Sequence, residues 1–267
     1  MLAVLRQVIR RRRLGTLWWS LGLIGFAALL AVAYPTVRGN RALDQTFAGL
    51  PPGVQAALGL DPGSGLTSPV GYLNSQYFAN ILPALFLVFA IGLAAWSIAG
   101  DEAGGTLELL LANPVSRGRV AAERAGALVA LLAVLTAVSA ATLVLLDPVV
   151  GLDKGLAGDR VVAATVASAL LALTFAAVAF CVGASTGRRS LALAVSATLA
   201  VAGYVIEGLA AQAPGLRPIR AASPWHWALG SAPLRHGLTW ESWLLPLAVS
   251  LALFVLGAAV FARRDLR

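Results

Sequence analysis

The side chains able to do chemistry are few in this chain of 267 residues, and their spacing is poor for catalysis. Asp101 and Glu102 are adjacent carboxylates, a pairing that can share acid–base work, but no base, metal ligand or pocket signature accompanies them. "GASTG" at 183–187 has the G-x-S-x-G form of a serine nucleophile. That form needs a strand–turn–helix setting and a histidine partner. Both histidines, His226 and His236, fall in a loop a membrane thickness away on the topology below, so these small residues read as close packing and a turn before Arg188. The single cysteine, Cys181, lies in an apolar run and reads as a core residue. One cysteine and two histidines, with no H-E-x-x-H, predict no metal site. No G-x-x-x-x-G-K-[ST] occurs either, since the only lysine, Lys154, follows Asp153 and precedes Gly155. If ATP drives this protein, another polypeptide must bind the nucleotide.

The elements that carry these residues are apolar. Hydrophobic residues make up 59% of the chain and charged residues 12%, against about 25% charged in soluble domains. So few charges do not cover a water-soluble globule. A helix needs about 20 apolar residues to cross a hydrocarbon core of ~30 Å. Six runs reach that length: 15–34, 77–99, 125–146, 161–183, 190–211 and 243–262. Each is expected to be helical, because a lone segment in lipid satisfies its backbone only internally. Pro83 predicts a kink in the second span. The basic "RQVIRRRRLG" resembles the start of a signal peptide, but the apolar stretch after it, at about 20 residues, exceeds the ~7–15-residue apolar core of one and reads as a retained first span. The expected fold is an all-α integral membrane protein of six transmembrane helices, with no soluble domain.

The net charge is +8. The basic residues sit at the ends of apolar runs, without a motif that reads bases, so they point to orientation in a bilayer and not to nucleic acid. With the N-terminus inside, thirteen of the twenty basic side chains fall on one face of the membrane and seven on the other. Both termini are therefore expected in the cytoplasm. Leu2, Leu5 and Ile9 share one helical face and Arg6, Arg10 and Arg13 another, which predicts a short interfacial helix along the inner leaflet. On the outer side, the Pro- and Gly-rich loop 35–76 suits short amphipathic turns, and the tryptophan-rich stretch before the last span suits a half-buried segment at the headgroups. Glu207 is the one carboxylate well within a span. It is either a pathway contact or a paired structural charge, with an outer-loop arginine as the candidate partner.

The stretch 101–120 lies between spans two and three and resembles neither. Gly104 and Gly105 break the preceding helix, Thr106 is a good N-cap and Glu108 suits the first turn. Leu107, Leu110 and Leu111 form a short apolar stripe. Pro114 ends the helix, and Arg117 and Arg119 return the chain to the headgroups. A short helix of this kind either lies on lipid or docks its leucine face into a groove of a soluble partner.

"GDEAGGTLELLLANPVSRGRV" resembles the cytoplasmic segment of ABC-2 type transporter permeases, in which an acidic residue, Gly-Thr, a leucine run and Pro-x-Ser-Arg recur. "SPWHWALGSAPLRHGLTW" is similar to the outer segment before their last helix. The resemblance covers essentially the whole chain and implies a single transmembrane domain over 1–267. It further implies a multi-pass subunit of the inner (cytoplasmic) membrane that works with a second permease subunit, as a homodimer or heterodimer. Two separate ABC ATPase subunits would carry ATP and Mg2+, so the chain is not itself an enzyme. The stretch between spans two and three would be the coupling helix that docks on the ATPase, through Glu102, Gly105, Thr106, Leu107, Glu108, Leu110, Leu111, Pro114 and Arg117. Asp101, Ala103 and Gly104 fall where the family pattern varies. The substrate of such exporters ranges over drugs, antibiotics, lipids and glycans and does not transfer with the resemblance. Two rival classes remain: a non-transporting membrane anchor or sensor, and a secondary transporter, which would carry more intramembrane charge and internal repeats.

Overall fold

The computed structural model describes residues 3–60, 65–105, 115–150, 157–210, 215 and 217–264. Helix α1 spans Ala3–Val37, followed by the short helices α2 (Arg41–Ala48) and α3 (Pro52–Ala57). Helix α4 runs over Pro69–Ala103 and contains π-helical turns at Asn74–Phe78 and Trp96–Gly100. Helices α5 (Arg117–Val150), α6 (Gly158–Thr186) and α7 (Arg189–Ala210) follow. Three short helices, α8 (Arg217–Ala221), α9 (Pro224–Leu229) and α10 (Pro233–His236), lead into α11 (Trp240–Arg263). No strand occurs among the described residues. Six helices, α1, α4, α5, α6, α7 and α11, are long and apolar enough to cross a membrane. They contain five of the six expected apolar runs whole and the fifth run up to Ala210, its last residue, 211, lying outside the described residues.

Helix α6 is the centre of the bundle. Of its most apolar window 78% is buried, against 22% in α7 and in α11. Its buried face is rich in alanine (Ala164, Ala167, Ala172, Ala176), and the short side chains let α4, α7 and α11 approach closely. Its hydroxyls turn back on its own backbone: Thr165, Ser168 and Thr174 donate to the carbonyls of Val161, Ala164 and Leu170 at 2.8, 2.9 and 3.0 Å. On α11, Gly257 faces α6 so closely that a Cβ would stand 3.0 Å from Cys181 Cα. Gly257→Val should therefore push α11 outward and cost about 1–3 kcal/mol, read as a lower melting temperature of the detergent-purified protein. By contrast, the outward faces of α1, α7 and α11 expose large apolar side chains, Trp18 at 72% and Leu251 at 62% among them, which suits lipid contact and not water.

The N-terminal segment corrects one expectation. The basic stretch is no separate interfacial helix but the first three turns of an unbroken α1. No proline interrupts it before Pro35, and its leading amides have a partner: Glu123 of α5 accepts from Val4 N at 2.9 Å and Leu5 N at 3.2 Å. A carboxylate at a helix amino end satisfies otherwise orphaned donors and complements the helix dipole. Val4 and Val8 are consequently buried in protein.

Pro83 sits early in the α-helical part of α4 that starts at Ile81. The irregularity expected there falls just before it, in the π-helical turn Asn74–Phe78 and the break at Asn80, where φ is −132°. A proline tolerates that place because its missing N–H is an orphan of the first turn anyway. In the preceding loop, Asn40 caps α2 through Ala42 N and Leu43 N, and Asp44 accepts from Thr67 N at 3.0 Å and Thr67 Oγ1 at 2.6 Å.

Candidate functional site

Four helix ends meet at the arginine-rich end of the bundle: the start of α1, the end of α4, the start of α5 and the end of α11. Helix α4 stops at Ala103. Gly104 follows as its cap, and Gly105 takes φ +67°, a left-handed conformation that glycine adopts without strain. Helix α5 begins at Arg117. The stretch 106–114 lies outside the described residues, so Thr106, Leu107, Glu108, Leu110, Leu111 and Pro114 do too. Glu102, Gly105 and Arg117 are the described members of the expected coupling segment.

The two ends that carry this stretch are tied together by charge. Arg124 Nη2 of α5 donates to Asp101 Oδ2 of α4 at 2.7 Å. Both side chains are buried, Arg124 to 3% exposure and Asp101 to 10%, so the pair sits where Coulomb attraction is weakly screened. One residue further, Glu102 Oε2 accepts from Arg264 Nη2 at the end of α11. The backbone carbonyl of Arg264 accepts in turn from Arg117 Nη1. The Glu102 carboxylate also rests on the turn after α6, where a Cβ on Gly187 would come within 2.7 Å of Oε1. Arg119 Nε holds the other oxygen of Glu123 at 2.9 Å, and Arg12 stacks its guanidinium 3.8 Å over the Trp96 ring. Val4 and Arg264, near opposite ends of the chain, thus lie at the same end of the bundle.

Glu102 and Arg117 were expected to face a partner; here their side chains bond within the chain. Asp101, Glu123, Arg124 and Arg264 were not expected to form a network, and each of the four bonds to a helix other than its own. The only local signal was Arg119–Glu123, an i,i+4 pair on one helix.

At the opposite end, Glu207 lies one turn before the end of α7. Its Oε1 accepts from Arg220 Nε and Nη2 of α8 at 2.9 and 2.8 Å, with His226 Nδ1 at 3.5 Å. Its Oε2 is buried without a hydrogen-bond partner. Beside it opens a cavity of about 480 Å³, lined in part by Asn74, Asn80, Tyr204 and Trp225. Tyr204 Oη donates to Asn80 Oδ1 at 3.0 Å, and Trp225 Nε1 donates to the Ala200 carbonyl at 2.9 Å, which pins α9 to α7. The ion pair is partly exposed, so Glu207→Gln should change stability by no more than about 1 kcal/mol. A thermal melt checks this, and a large loss would mean that the pair anchors the whole α8–α9 segment. Among the described residues no cluster of histidine, cysteine or carboxylate side chains has the arrangement of a metal site.

Residues 23–266 match the family model described as ABC-2 family transporter protein. No curated protein matches the chain.

Proposed function

The chain belongs to the ABC-2 family of transporter proteins, and on that premise we propose that it is the membrane half of an ATP-driven exporter. As a family member with six membrane-length helices it is a multi-pass membrane protein and a transport subunit. In the proposed assembly, residues 1–267 are one transmembrane domain in the inner (cytoplasmic) membrane, with both termini in the cytoplasm. A second permease copy, identical or homologous, completes the path. Separate ABC ATPase subunits bind ATP and Mg2+ and engage the segment from Glu102 to Arg117.

The observation that carries this reading is the ion-pair frame around that segment. Glu102–Arg264 and Asp101–Arg124 lock the end of α4 to α5 and α11, so a push delivered between residues 105 and 117 reaches three spans together. The positive-inside count supports placing this end in the cytoplasm. A ligand-sensing membrane subunit is the second reading, favoured by the 480 Å³ cavity at the far end. ATP hydrolysis by the co-purified ATPase separates the two, because only a transport subunit must couple it to substrate.

Charge reversal tests the frame. Glu102→Arg should lower transport-coupled ATP hydrolysis, and Arg117→Glu likewise. Combining Glu102→Arg with Arg264→Glu should restore much of the rate, because the pair is rebuilt with its signs exchanged. If Glu102→Arg co-purifies with the ATPase and hydrolyses at the wild-type rate, the coupling assignment is wrong.

A further inference from the structure

Two arginines at the arginine-rich end stand outside the ion-pair frame. Arg12 of α1 and Arg189, the first residue of α7, flank a groove of about 230 Å³. Among the described residues neither forms an ion pair. Their like charges lie on the same groove, and the nearby Asp101 carboxylate is already bonded to Arg124. Arg12 is held in place by its stack on Trp96, so it does not simply swing away. Two like charges on the rim of one groove disfavour each other until an anion lies between them, and the guanidinium fork matches phosphate oxygens.

The rest of the groove is apolar. Trp19, Val88, Phe89 and Leu93 line it, and Gly15 and Gly92 leave it open, since a Cβ on either would meet nothing within 4 Å. Val88 is 63% exposed. Val88 and Gly92 also line a wider apolar groove of about 530 Å³ between α4 and α7, which continues the path along the span. A free phosphate would use the arginines and leave these walls bare. A phospholipid uses both, and one with a net negative charge brings no cation of its own toward the two guanidinium groups.

We propose that Arg12 and Arg189 bind the phosphate of an anionic phospholipid whose acyl chains lie along Val88 and into the α4–α7 groove. The site would tether α1 to α7 through the lipid, at the membrane surface beside the coupling segment.

Native mass spectrometry of the full chain in detergent tests this, with phosphatidylglycerol, phosphatidylcholine and glycerol phosphate as probes. Phosphatidylglycerol should be retained in preference to phosphatidylcholine, and glycerol phosphate should neither bind nor displace it. Arg12→Gln and Arg189→Gln should each weaken retention roughly fivefold, whereas Arg13→Gln and Arg188→Gln, at exposed positions off the groove, should not. Arg12→Lys with Arg189→Lys keeps both charges but not the fork and should retain more binding than the glutamine pair, Arg12→Gln with Arg189→Gln; the lysine pair carries the test if the glutamine pair does not fold. Equal retention of the two lipids, equal loss in the Arg13 and Arg188 variants, or loss in the lysine pair as complete as in the glutamine pair would each overturn the proposal. Displacement by glycerol phosphate would leave an anion site without a lipid and overturn it as well.

Discussion

Asp101→Ala should destabilise the purified protein by about 3–5 kcal/mol, seen as a fall of roughly 10 °C in its melting midpoint. The size of the effect comes from what it leaves behind. Arg124 is 3% exposed, and two of its nitrogens, Nε and Nη1, are already buried without hydrogen-bond partners. Removing Asp101 strips away the 2.7 Å bond to the third nitrogen, and an uncompensated buried charge remains. The double variant Asp101→Leu, Arg124→Met removes both charges at similar volume and should melt near the wild type. A single Asp101→Ala variant that melts within a degree of the wild type would show that the pair is not what joins α4 to α5.

The second large effect concerns association. Leu110→Asp with Leu111→Asp should abolish co-purification with the ATPase under the proposed function. A leucine buried at an interface contributes about 1.5–3 kcal/mol, so losing two weakens binding by roughly a hundredfold or more, before the cost of burying two carboxylates. The membrane bundle itself should melt as the wild type, which separates lost docking from lost folding. If the double variant still pulls down the ATPase in equal amount, the leucine stripe serves lipid instead.

The helices were legible in the sequence because apolar length is a local property. Each of the six runs coincides with a membrane-length helix over its described residues. Their ends were less legible. Apolarity marks where lipid contact stops, but α1 continues back to Ala3 because a carboxylate from α5 satisfies its first amides, and nothing near residue 3 announces Glu123. The ion-pair frame was illegible for the same reason. Glu102 and Arg264 are separated by 162 positions, and no periodicity in either neighbourhood points to the other. Glu207 differed, because a carboxylate inside an apolar run needs an explanation wherever it occurs. An outer-loop arginine was the expected partner class, while the choice of Arg220 depended on how α8 folds back over α7.

The burial of α6 has a consequence for how the protein is made. This helix is complete at Thr186, but α7 and α11, which cover two of its sides, are still to be synthesised, and α11 ends only at Arg263. At about 5–20 residues per second, the intervening 77 residues occupy the ribosome for roughly 4–15 s. Throughout that interval the most enclosed helix of the finished bundle must wait in lipid with part of its surface uncovered. Its sequence is suited to waiting: Thr165, Ser168 and Thr174 close their hydroxyl groups onto their own helix and present no unmet donor to the hydrocarbon. Substituting asparagine at these positions, whose amide the helix backbone cannot fully satisfy, should therefore reduce the yield of inserted protein more than it reduces the stability of the molecules that finish folding.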